Sequence, residues 1–353
     1  MTIELKNMLA KIAEQTLLRS FQFSDRERLD KEDKRWYVWD WSIGVGFCGL
    51  WQAYDHLRKN EYAISMKKWI DERLDRNGIG SICVNTNALL LSVLRLRELR
   101  DEEKYEPLCQ AFDSYLMRQA PRTPSGTVAH TVIQQAYDGE VWADTLFMSM
   151  VYLAKRGMLL NDDGRWQEAV NQLALHMKLL ADRQTGLFYH GWDDVSKQPL
   201  GVKWGRGNAW IIVSAIEILE TVPSDIPEKT AIVQALHAQI DALAILQDES
   251  GLWRTVLDRS DTYLESSVTA GVAYGILKGI RLGMIDERYR TVADKAVLGL
   301  TRQIDDQGNV LKGSTGTPIK ADAMEYNLIP YRVTPFTQGL AMMALSEYLH
   351  WKG

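Results

Sequence analysis

Apolar residues recur at i, i+3, i+4 and i+7 along twelve stretches of the chain, the spacing of one buried helix face. These stretches lie near 3–19, 44–59, 62–75, 85–100, 103–119, 143–157, 163–182, 207–221, 228–247, 265–282, 287–304 and 335–350. Strand-like alternation occurs only in short pieces between them. The even-numbered stretches are the more apolar, as in Ala88-Leu89-Leu90-Leu91 and Leu146-Phe147-Met148, which predicts burial on more than one side.

The connections repeat. After the third, fifth, seventh, ninth and eleventh stretches comes a polar turn that closes on glycine: Gly78, Gly126, Gly186, Gly251 and Gly308. Each glycine suits a positive-φ turn after a helix, and a short extended piece follows, like half of a small hairpin. The period is about 50 to 65 residues, one decorated helical hairpin. Six such hairpins close most simply into an all-α (α/α)6 barrel, a double toroid with odd helices outside and even helices inside. No Pro/Gly/Ser-rich linker divides the chain, so residues 1–353 read as a single catalytic domain. The decorated loops all lead into the N-terminal ends of inner helices and gather at one mouth, where a site is expected.

Composition sharpens this. The 353 residues carry a net charge of −5, which disfavours a nucleic-acid or anionic-membrane partner. No stretch approaches the roughly 18 apolar residues of a membrane span, and the N-terminus lacks the apolar run of a signal peptide. Cys48, Cys83 and Cys109 form neither a disulfide framework nor a zinc spacing. A cytoplasmic protein without cofactor or metal is expected. The unusual feature is aromatic: 12 Trp and 14 Tyr against 7 Phe. Amphipathic rings pack cores, but they also line sites for flat-faced polar ligands such as sugars.

Six motifs fall at the predicted mouth. Trp39-Asp40-Trp41-Ser42 precedes the first inner helix; it reads either as a stacking platform or as a helix start capped by Ser42. Trp142-Ala143-Asp144-Thr145 opens the third inner helix, with Asp144 as N-cap or as general acid–base. Tyr189-His190-Gly191-Trp192-Asp193-Asp194 and Lys203-Trp204-Gly205-Arg206-Gly207-Asn208-Ala209-Trp210 lead into the fourth. An Arg between glycines and beside Trp favours recognition of an anion; a lone His190 has no second His at ligand spacing. Glu265-Ser266 and Thr334-Pro335 read as helix starts.

In combination, WDWSIGV, VWADTLFM, YHGWDD, WGRGNAW and YLESSVTAGVAYG resemble glycoside hydrolase family 105, the unsaturated rhamnogalacturonyl hydrolases, and the related unsaturated glucuronyl hydrolases. The likeness runs from Trp39 to Glu347. It implies an (α/α)6 barrel that removes a 4,5-unsaturated uronic acid from the non-reducing end of a small oligosaccharide of pectin or rhamnogalacturonan type, by acid-catalysed hydration of the double bond. By the same resemblance Asp144 is the acid–base, and Trp41, Asn87, His190, Arg206 and Trp210 are substrate residues, with Trp142 beside them on the aromatic rim. Trp41 stands where the family commonly has Tyr. Asn87 stands where many relatives have a second Asp, whose charge would raise the pKa of its partner. Three other readings compete: a sugar epimerase, which needs paired bases such as His130 and His190; an inverting glycosidase on the same barrel; and a saccharide-binding protein that has lost catalysis, suggested by Asn85 and Asn87.

Overall fold

The computed structural model describes residues 2–22, 30–76, 78–97 and 102–352. Asn77 of the first polar turn and residues 98–100 of the second predicted inner helix lie outside the described residues. The long helices are α1 (Thr2–Phe21), α2 (Trp41–Leu57), α3 (Asn60–Arg76), α4 (Leu90–Leu96), α5 (Glu102–Ser114), α6 (Val151–Leu160), α7 (Asp163–Leu180), α8 (Gly205–Thr221), α9 (Lys229–Leu246), α10 (Ser266–Arg281), α11 (Arg290–Thr301) and α12 (Pro335–Lys352). Each falls on a predicted stretch. The second inner stretch is broken: Val84–Asn87 forms a short helix ahead of α4. A π-helical turn, Leu146–Met150, precedes α6; such turns frequently mark functional sites.

Burial separates the two layers. Every residue of α8 from Gly205 through Leu219 is buried, and every residue of α10 from Ser266 through Ile280. By contrast α9 buries only the stripe Ile232, Leu236, Gln239, Ile240 and Leu243, the face of an outer helix. Contacts run from α2 to α4, α6, α8, α10, α12 and back to α2, so the inner ring closes on itself. The closure is tight because α2 and α12 meet at Gly49 and Gly339. A Cβ on either would overlap the backbone of the facing helix. The architecture is the expected α/α barrel.

The five predicted turn glycines all have positive φ, from 61° at Gly78 to 91° at Gly251. Isolated bridges Arg122↔Val128, Ala181↔Phe188 and Ile304↔Val310 pair the residues flanking three of them. Longer loops add two small antiparallel sheets at the mouth: β1 (Glu140–Trp142), β2 (Gly191–Asp193) and β3 (Gln198–Leu200), paired in the order β1-β2-β3, and β4 (Trp253–Arg254) with β5 (Leu264–Glu265).

One helix start differs from expectation in a way that matters. Helix α2 begins at Trp41, so its N-cap is Asp40 rather than Ser42, and the Asp40 side chain makes no capping hydrogen bond. That carboxyl group is left for other work. At α10 the capping reading holds: Glu265 accepts from the Val268 N–H at 2.8 Å.

Candidate active site

Sheet register creates the central contact. Strand β1 runs into the first turn of the α6 segment, where Asp144 sits; β2 directly follows His190. Pairing of Trp142 with Gly191, extended by the Ala143 N–H donating to the His190 carbonyl at 3.0 Å, sets the two side chains face to face. His190 Nε2 lies 3.3 Å from Asp144 Oδ2. The other ring nitrogen, Nδ1, is 2.6 Å from the Tyr326 hydroxyl. That hydroxyl oxygen also accepts the Lys320 N–H at 3.3 Å. His190 is thereby held with Nε2 facing Asp144. Its ring packs at 4.1 Å from Trp204 and 5.4 Å from Trp142.

The electrostatics follow from burial. His130 is pushed down to about 4 by desolvation, and desolvation also lowers His190 against the pull of Asp144. Both imidazoles are neutral at neutral pH. Burial pushes the Asp144 carboxyl up, but the His190 hydrogen bond and the neighbouring His130 and Arg206 outweigh it, and its pKa lies below the ordinary value. The resting group is a carboxylate, favoured further by its place at a helix N-terminus. Asp40 behaves oppositely. Burial raises it to about 6, against a hydrogen bond from the Trp41 backbone and the charge of Arg35.

A cavity of about 330 Å³ opens at this mouth. Trp41, Tyr137, Trp142 and Trp204 form its aromatic walls, and Asp40 and Asp144 its carboxyl groups. Trp142 is fixed by a 2.7 Å bond to Glu140 and by a stack on His130 at 4.5 Å. Trp41 stacks on Phe336 at 4.6 Å. Of the residues anticipated from sequence, Asp144, Trp41 and Trp142 are at the wall, and His190 lies directly behind Asp144.

Three of them are elsewhere. Arg206 is buried behind the cavity wall, and its guanidinium is taken up by the loop that follows α11. Nη1 donates to Ser267 Oγ at 3.1 Å and Ser314 Oγ at 2.7 Å, Nη2 to the Thr315 carbonyl and Thr317 Oγ1 at 2.9 Å each, and Glu265 lies at 3.5 Å. It pairs with the buried Glu265 carboxylate and supports the cavity wall at Thr317. Trp210 is fully buried, wedged between Trp41 and Phe147. Asn87 is fully buried with neither amide atom hydrogen-bonded; Asn85, one helical step away, faces the cavity.

Sequence reasoning also passed over residues that the structure places at the wall. Asp40 had been read only as the spacer between two tryptophans. Arg35 carries no motif at all. Tyr137 belongs to a loop whose path depends on β1, and His130, on the same loop, was read only as an epimerase base. The paired histidines that an epimerase requires do flank Asp144, but burial takes His130 down to about 4 and lowers His190 as well, which weakens both as bases for a carbon-bound proton. Among the described residues, no three His, Cys, Asp or Glu side chains cluster as metal ligands.

The sequence pattern of Glycosyl Hydrolase Family 88 matches residues 15–352. The chain belongs to that family. It is a glycoside hydrolase, and its relatives agree. It is 31% identical over 320 residues to the unsaturated rhamnogalacturonyl hydrolase YesR of Bacillus subtilis, covering 90% of this chain and 91% of that one. It is 27% identical over 221 residues to an unsaturated 3S-rhamnoglycuronyl hydrolase of an Alteromonas species, covering 60% of this chain and 51% of that one. A crystal structure of a possible member of family 105 from Salmonella enterica superposes with a TM-score of 0.93 at 34% identity, covering all of this chain and 95% of that one. In this family 88 hydrolase no helix among the described residues is long and apolar enough to cross a membrane.

Proposed function

We propose that this hydrolase removes a 4,5-unsaturated uronic acid from the non-reducing end of lyase-generated oligosaccharides of pectin or rhamnogalacturonan type. The barrel acts as one catalytic unit, with Asp144 as its acid–base. The observation that carries the reading is the Asp144–His190–Tyr326 arrangement set in an aromatic-walled cavity: a carboxyl group facing an imidazole, and flat surfaces for a sugar ring. The name and near full-length match of the Bacillus subtilis relative support the same substrate class. Three unpaired cysteines, two of them buried, support a reducing, cytoplasmic setting.

The chemistry needs only one such group. Asp144, once protonated, gives its proton to C4 of the vinyl ether. Positive charge develops at C5 and the ring oxygen. A water molecule adds its oxygen to C5 while Asp144 takes one of its protons back. The resulting hemiketal opens and frees the second sugar. The carboxyl group ends as it began, so no second carboxylate is consumed. The resting Asp144 is ionised and must gain a proton when substrate binds. The substrate's own carboxylate and the exclusion of water both favour that gain. His190 stands beside the carboxylate, and Trp41, Trp142 and Trp204 hold the ring.

The test is loss of the ultraviolet absorbance of the conjugated double bond when purified protein meets unsaturated rhamnogalacturonan disaccharides. Asp144→Asn is expected to lower kcat about 10²–10⁴-fold with an unchanged circular dichroism spectrum. A folded Asp144→Asn variant of wild-type activity removes Asp144 from the role.

A further inference from the structure

The cavity holds two carboxyl groups, Asp40 and Asp144, and the hydration moves protons through one of them. Asp40 has no task in that chemistry, nor does it serve the fold as a cap. Its backbone carbonyl accepts the Gly44 N–H at 3.3 Å at the start of α2, but its side chain makes no capping bond. Its Oδ1 is buried with no hydrogen-bond partner among the described residues. A buried acceptor without a donor is rare in native proteins and destabilises the fold. Burial raises the carboxyl to about 6, against a hydrogen bond from the Trp41 backbone and the charge of Arg35.

Its position is fixed before any ligand arrives. Trp39 donates Nε1–H to the Thr86 carbonyl at 2.9 Å, which ties the segment to the short helix Val84–Asn87. Trp41, on the other side, stacks on Phe336 at 4.6 Å. The charge of Asp40 reaches Cys83, the N-cap of that short helix, and the helix carries Asn85 into the cavity lining. This part of the cavity therefore combines a flat ring, a carboxyl group that is acceptor-only when ionised, and an amide that gives and accepts hydrogen bonds. That set suits the face and the hydroxyls of a sugar, and it is held rigidly, which lowers the cost of binding.

The unsaturated ring has few donors to offer. C4 and C5 share the double bond, C5 carries the carboxylate, and C1 carries the link to the second sugar. The free hydroxyls are those on C2 and C3. With C4 at Asp144, these neighbours are what the ring presents to a second carboxyl group in the same cavity. We propose that Asp40 accepts the C2 and C3 hydroxyls of the unsaturated ring and so sets which way the ring lies against Trp41. The proposal rests on the uronyl-hydrolase reading above. A ring turned over about C4 brings its own carboxylate toward Asp40 instead, and the two like charges oppose that pose. Hydrogen bonds to a charged acceptor predict an effect on KM of about tenfold to a hundredfold.

The experiment compares wild type, Asp40→Ala and Asp40→Asn on three substrates: an unsaturated uronyl disaccharide, and its 2-deoxy and 3-deoxy forms altered in the unsaturated ring. Asp40→Ala is expected to raise KM for the parent disaccharide about tenfold to a hundredfold with kcat nearly kept. Asp40→Asn keeps the shape and one acceptor oxygen, and is expected to lose less. On each deoxy form the penalty of Asp40→Ala shrinks, because wild type has already lost that contact. An equal penalty on all three substrates marks a merely structural role and overturns the proposal, as does no penalty on any. A wild type that consumes none of the three overturns the parent reading instead. Calorimetry with glucuronate, which has no double bond to hydrate, then tests Asp40 by itself: weaker binding in Asp40→Ala supports its role, and equal binding, or none in wild type, overturns it.

Discussion

At the scale of the residue, Asp40 and Asp144 are two carboxyl groups in one cavity with opposite environments. Asp144 is held by an oriented imidazole and sits below the ordinary carboxylate range. Asp40 has no capping bond to make, and burial lifts it to about 6. Keeping Asp40 ionised in the folded protein at pH 8 costs about 3 kcal/mol relative to the unfolded chain. The cost is present above pH 6 and disappears as pH falls toward 4, because the folded group takes up its proton first. Asp40→Asn is therefore expected to stabilise the protein at pH 8 by up to about 3 kcal/mol and to do nothing at pH 4. It should also reduce activity if the carboxylate receives a sugar hydroxyl. Urea unfolding at the two pH values is the check, and equal effects at both would refute the burial argument. None of this was readable in the sequence. Whether Asp40 or Ser42 caps α2 depends on where the helix starts, a shift of a few residues that decides which side chain is spent.

At the scale of the element, loops far apart in sequence are tied by single side chains. Arg206 opens α8 yet binds residues 108 to 111 positions later, and the Ser314 N–H also bonds Glu265 at 2.8 Å. The local pattern Gly205-Arg206-Gly207 pointed to an anion, and Glu265 is one within the chain; the other partners, Ser267, Ser314, Thr315 and Thr317, are ordinary small polar residues with no spacing to announce them. The β1–β2 register, by contrast, was half visible: the sequence marked both Asp144 and His190, but only strand pairing brings them together. Removing Arg206 leaves Glu265 and two buried carbonyls without their cation. Arg206→Ala is expected to cost about 3–5 kcal/mol of stability and to make the segment around Gly316 sensitive to protease in the otherwise folded enzyme. A variant with wild-type stability and an equally resistant loop would show that Glu265 and the α10 helix start hold the segment unaided.

At the scale of the whole molecule, helix periodicity and turn glycines exposed the barrel in advance because both are local properties repeated along the chain. The aromatic excess was only partly informative. Trp41, Trp142 and Trp204 reach the cavity. Trp39, Trp210 and Trp253 also come from mouth-side segments but are buried, Trp39 bonding the Thr86 carbonyl and Trp253 that of Leu243. Packing so dense also encloses titratable groups, and this fixes how the barrel responds to acid. Burial takes His130 and His176 down to about 4. Above pH 6.5 both are neutral folded or unfolded, and the barrel has its full stability. As pH falls below 6.5 the unfolded chain binds protons that the folded one refuses, and each histidine removes up to about 1.4 kcal/mol per pH unit until pH 4. Asp40 opposes this below pH 6 as a single group, so the net slope remains a loss. Further down, Glu217, buried at the far end of the barrel and held low by Lys155 and Lys278 against the effect of burial, adds its own loss as it is protonated. Urea midpoints are therefore expected to fall steadily from pH 6.5 to 4. His176→Gln, on outer helix α7 and away from the cavity, should make that fall shallower without changing kcat. A flat profile over this range, or an equal slope in the variant, would mean that the buried imidazoles are protonated in place, and that water reaches a core which the structure shows closed.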